Sequence, residues 1–98
     1  MMSENSLSNI RGALASIETL NDRAGEETYS SANIASNNEL VLELNTAAGV
    51  ALCRSILDLV ESGGDGKHQH FDKINFIDEG DATLVILFRN KSYFSKLL

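Results

Sequence analysis

The residues that come nearest to chemistry by type and spacing are His68, His70 and Asp72, in the run Lys67-His68-Gln69-His70-Phe71-Asp72. On an extended strand alternate residues share a face and stand about 6.5–7 Å apart, so two imidazoles and a carboxylate would point the same way. Such a set suits zinc or a similar ion. An imidazole beside a carboxylate also suits acid–base work. Either use needs more than the run supplies. The chain has no third histidine and a single cysteine, Cys53, so a full metal shell would need that thiol or a distant carboxylate. A polar strand end that meets solvent or a partner is the simpler reading, and no metal or cofactor is expected.

The other candidate motifs weaken on inspection of their context. Gly63-Gly64-Asp65-Gly66 follows a helical pattern, whereas glycine loops that cradle phosphate precede a helix. There is no nucleophile elbow, Walker loop or HExxH motif, so no enzyme class gains support. Asp78, Glu79 and Asp81 are too few and too irregularly spaced for a calcium loop. They read either as a solvated turn or as an acidic knob that meets Lys or Arg on another protein. Cys53 lies on what reads as a buried helix face, where it would act as a small core hydrophobe.

Charge narrows the possible partners. The first 88 residues hold all 14 acids and five of the eight bases, a balance of −9, while Arg89, Lys91 and Lys96 form a short basic end. A body of this sign repels phosphate backbones, which argues against nucleic acid. It would attract a basic protein surface and speed the encounter with it. Plain solubility is the competing explanation for acidity. No apolar run approaches the roughly 20 residues that span a bilayer. The N-terminal residues show no basic stretch leading into an apolar one, so a cytoplasmic location without membrane contact is expected.

These groups must be carried by one domain, since 98 residues suffice for a single core. Ile10, Ala13, Leu14, Ile17 and Leu20 recur at helical spacing and predict a helix over 7–21 with that stripe buried, capped by Ser6 or Ser8. A polar connector follows to residue 37, with a weak edge strand over 28–34 and exposed acids Glu26 and Glu27. The alternation in ELVLELN predicts a strand over 39–45. Asn45 or Thr46 then caps a helix over 47–61, with Ala48, Leu52, Ile56, Leu59 and Val60 buried and Arg54, Asp58 and Glu61 solvated.

Two further strands are predicted over 68–77 and 82–89, joined by a hairpin turn at Asp78-Glu79-Gly80-Asp81. Aligning Phe71, Ile74 and Phe76 on one face requires a bulge near Asp72-Lys73. The tail over 91–98, with Tyr93, Phe94, Leu97 and Leu98, would dock on the body or on a partner. Together these elements predict an α+β domain: a mostly antiparallel sheet of three to four strands with two helices packed on one face. Residues 38–90 form its β-α-β-β core.

That core resembles the small immunity proteins of bacterial polymorphic-toxin and contact-dependent growth inhibition systems. The resemblance is carried by NELVLELNTAAGVALCRSILDLVE, by GKHQHFD and by ATLVILFRN, about half the chain. It implies a small cytosolic domain that binds one cognate toxin and blocks its active site or its approach to substrate. Where such a toxin is a nuclease, an acidic face of the inhibitor stands in for phosphates. The contacts this implies are Asp78, Glu79 and Asp81, His68, His70 and Asp72, with Glu26 and Glu27 in the connector. Two other uses remain open from the residues: a metal-binding protein built on His68 and His70, or an assembly adaptor that pairs through a sheet edge or the tail.

Overall fold

A computed structural model describes residues 4–95 of the chain. Leu97 and Leu98, at the end of the expected docking tail, lie outside the described residues. The element order is α1 (Glu4–Arg23), β1 (Ser30–Ile34), β2 (Leu40–Leu44), α2 (Thr46–Ser62), β3 (His68–Phe71), β4 (Leu84–Leu87) and α3 (Lys91–Ser95). The domain is α+β with antiparallel strand pairing, as its pattern predicts. The single sheet does not form: β1 pairs with β2 and β3 with β4 as two separate two-stranded sheets.

The first sheet is a hairpin in full register from Ser30↔Leu44 to Ile34↔Leu40. Its turn passes through Asn38 in the left-handed region at φ 66°. Asparagine tolerates that conformation better than other residues with a Cβ. The weak strand over 28–34 is therefore an inner strand and not an edge, because its other side is also occupied. Asp78 and Glu79 donate their main-chain N–H groups to the Ser30 carbonyl, Ala32 N donates to Glu79 O at 3.1 Å, and Ala82 N donates to Ala32 O at 3.0 Å. A parallel bridge between Ser31 and Glu79 is the join.

The predicted hairpin at 78–81 is accordingly a segment laid along β1. The true connection between β3 and β4 runs over 72–83. Asp72 causes the break. Its Oδ1 accepts from Ile74 N at 2.9 Å and from Asn75 N at 3.2 Å, and its main-chain oxygen accepts from Phe76 and Ile77. An aspartate that offers its own oxygens to the next backbone turns the chain instead of extending it. The outcome replaces the expected bulge. Phe71 and Phe76 still meet, edge to face at 5.3 Å between centroids. Ile74, expected beside them, is 96% exposed at the tip.

The core is small: Ala32, Phe71, Ile77 and Ala82 are buried, with Leu42, Leu52, Phe76, Leu84 and Ile86 packed partly against them. The α2 helix reaches the strands through Ala48 and Leu52. Asn45 is its cap, its Oδ1 accepting from Ala48 N at 2.9 Å. The same side chain holds the connector, with Oδ1 accepting from Tyr29 N and Nδ2 donating to Glu27 O. Gly63 ends the helix in the left-handed region, as the glycine run predicts.

The α1 helix packs on α2 and not on a sheet. Ion pairs fasten the contact beside half-buried Leu7 and Leu14. Arg11 bridges Asp58 at 3.3 Å and Glu61 at 3.1 Å, and Arg54 bridges Glu18 and Asp58. Arg54, Asp58 and Glu61, expected in solvent, are thus the seam between the helices. Ile10, Ile17 and Leu20, expected in the core, are exposed, as are Val60 and Cys53. Ser6 and Ser8 lie inside α1, which begins at Glu4, so neither caps it.

Two substitutions test this frame. Gly80 has φ 106°, and a Cβ there would collide with the Ala32 main chain. Gly80→Ala should lower unfolding free energy by about 3 kcal/mol in urea titration, through strain and loss of the β1 join. Asn45→Ala should cost about 1–2 kcal/mol by the same measurement, since it removes a helix cap and the connector clamp together.

Candidate functional site

The main chain of β1 organises an acidic surface. Alternation along the hairpin puts Ser31 and Asn33 on one face, opposite Glu43 and Val41. The bridge to Glu79 adds that residue beside Ser31. Tyr29 precedes β1 and is exposed. Its phenol is held above the ordinary value of 10.0, first by a hydrogen bond to Glu79, then by partial desolvation and by the negative charges of Glu79, Asp78 and Glu43. Three carboxylates therefore surround one tyrosine.

Each of these acids also has a local bond. Asp78 Oδ2 accepts from Ser30 N at 2.8 Å, and Glu43 Oε1 accepts from the Ser31 hydroxyl at 3.0 Å. Buried Ser30 donates its hydroxyl to Phe76 O at 2.7 Å, which fixes the start of the loop that carries Asp78 and Glu79. Asp81 N donates to Asn33 Oδ1 at 3.3 Å and continues the row along β1. Asp22, Glu26 and Glu27 line an open hollow at the connector, next to Tyr29 in the chain.

The arginines that form ion pairs do so elsewhere. Arg11 and Arg54 are taken up by the helix seam, and Arg89 bridges Asp65 at 3.4 Å while lying 4.1 Å over the Tyr93 ring. Among the described residues no Lys or Arg forms an ion pair with Glu26, Glu27, Glu43, Asp78, Glu79 or Asp81. The surface keeps its charge. Glu43 and Tyr29 belong to it and were not singled out by sequence. The alternation of ELVLELN marks Glu43 as solvent-facing, but only strand pairing puts it beside Glu79.

His68 and His70 stand apart on β3. Both are exposed, and their rings meet edge to face at 4.9 Å. Their face of the sheet is shared with Leu87 and Val85, the direct partners of His68 and His70. Asp72 does not join them, because its side chain is committed to the turn over 72–75. Among the described residues no group of three or more His, Cys, Asp or Glu is placed to hold a metal ion. Also among the described residues, no helix is long and apolar enough to cross a membrane.

Comparison with known proteins finds no matching family model, no matching curated protein and no matching solved structure.

The electrostatic grouping is testable through Tyr29. In a Tyr93→Phe background, the phenol should titrate above 10.0 by ultraviolet absorbance. Glu79→Gln removes both the accepting carboxylate and its charge, so the midpoint should fall toward the ordinary value.

Proposed function

We propose that this chain is a protein-binding domain that neutralises a basic bacterial toxin domain, in the manner of an immunity protein. The observation that carries the proposal is the acidic row of Glu43, Asp78, Glu79 and Asp81 around Tyr29, with Glu26 and Glu27 beside it and no ion pair from a described Lys or Arg to any of them. A tyrosine ringed by carboxylates suits a basic partner well. The carboxylates take Lys or Arg, and the ring supplies rigid apolar area at little entropic cost. The resemblance of residues 38–90 to toxin-neutralising proteins supports the same partner class.

In this proposal the two halves of the acidic surface do different work. Asp78 orders the loop through the Ser30 N–H, so its charge is held at a fixed position. Glu26 and Glu27 are exposed in the connector and act by steering over distance. His68 and His70 lie on the other sheet and are secondary to this face.

The direct test is protection. Co-expression of the chain with the toxin domain encoded beside it should restore growth, and absence of protection would sink the proposal. The acidic face is tested separately by kinetics. Glu26→Lys with Glu27→Lys should slow association with the purified toxin domain by about tenfold at low salt and flatten its salt dependence. An unmodified chain whose association ignores salt would exclude steering by this face.

A further inference from the structure

On α1, Arg11 and Glu18 turn toward α2 together with half-buried Leu7 and Leu14, while Ile10, Ile17 and Leu20 turn outward. Arg11 and Glu18 are the only charged residues of α1 between 9 and 20, and both face α2. Because Arg11 pairs with Glu61 while Glu18 pairs with Arg54, the helices run antiparallel. In antiparallel helices the residue just before each facing one turns to the same side of the pair. Here those residues are Ile10 before Arg11, Ile17 before Glu18, Cys53 before Arg54 and Val60 before Glu61. With Ala13 and Leu20 they make one uncharged apolar face. Ile10 is 40% exposed, Ile17 41%, Leu20 61% and Val60 38%.

The chain as a whole also exposes more surface than a compact monomer of its mass would. The chain exposes 6861 Å², against about 5,500 Å² expected for a compact monomer of its mass. Its radius of gyration is 15.3 Å, against about 13 Å for a compact chain of this length. The shape is a slab of 42 × 39 × 20 Å. The surplus of about 1,400 Å² exceeds the roughly 800 Å² that each partner gives to a stable interface.

We infer that a second copy of this chain covers the face, α1 against α1, as a two-fold antiparallel pair. The spacing 10, 13, 17, 20 is that of a heptad seam. It is also self-complementary when reversed. A two-fold axis at the level of Ala15 sets Ile10 against the second copy's Leu20, and Ala13 against its Ile17, so small meets large. Charge permits this face: two copies that each carry −6 repel through an acidic surface, and this side of α1 has no charge.

Sedimentation equilibrium of the full chain at tens of micromolar tests the inference. The expected mass is twice the chain's 10.6 kDa. Ile10→Lys should weaken association by about 100-fold, because it sets a charge in an apolar seam. Ile74→Glu, at a position 96% exposed and off this face, should leave the mass unchanged. The double variant Ile10→Lys with Leu20→Glu should pair again, since each lysine then meets a glutamate of the other copy. Circular dichroism of each variant separates lost pairing from lost folding. A monomer mass for the unmodified chain overturns the inference. So does a dimer indifferent to Ile10→Lys, or a folded double variant that does not pair.

Discussion

The main chain of Ser30 to Ala32 does the work of a third strand's partner for a segment that has almost no strand pattern of its own. Asp78, Glu79 and Ala82 all bond to it, and Ser30 adds its hydroxyl to the Phe76 carbonyl. Without that docking the connection between β3 and β4 would not bond to β1, and Ile77 and Ala82 would have no reason to pack with Ala32. The close approach is possible because residue 80 has no side chain. One glycine and three residues of main chain thus hold the strand half together. Hydrogen bonds carry this join because the core is too small to do so: four of its six buried hydrophobic residues are alanines.

The helix half is held differently. Its seam is an ion network on side chains about one-third exposed, and such pairs contribute little each in water. Arginine suits the role, since each guanidinium spans two carboxylates and so fixes the rotation of α1 about its axis. The Glu18 carboxylate, through its hydrogen bond, does most to raise the pKa of Arg54, partly opposed by burial. Specificity of orientation comes from the charges, while most of the apolar area of α1 remains on the outside.

These two constructions divide the molecule electrostatically. Arg11 and Arg54 pair inside the helix seam and Arg89 beside Tyr93, and none of the three pairs with the carboxylates of the strand half. A neutral side and an acidic side result from where the cations pair, since total charge alone would not separate them.

Much of the local structure was legible in the sequence. Alternation in ELVLELN placed β2, Asn45-Thr46 marked the start of α2, and the glycine run after Ser62 marked its end, because each depends on neighbours within a few residues. The acidity of the body was legible as well. Tertiary structure decided what periodicity leaves open. The stripe of α1 has the spacing of a buried face, but spacing does not say what buries it, and Arg11 and Glu18 claimed the side that meets α2. Asp78-Glu79-Gly80-Asp81 has the composition of a hairpin turn, yet a turn at Asp72 and the open edge of β1 drew it into an extended pairing. His68, His70 and Asp72 were evenly spaced in sequence and separated in space, because Asp72 bonded to its own backbone. Local preference fixed the elements; long-range pairing of charge and main chain decided which faces they show.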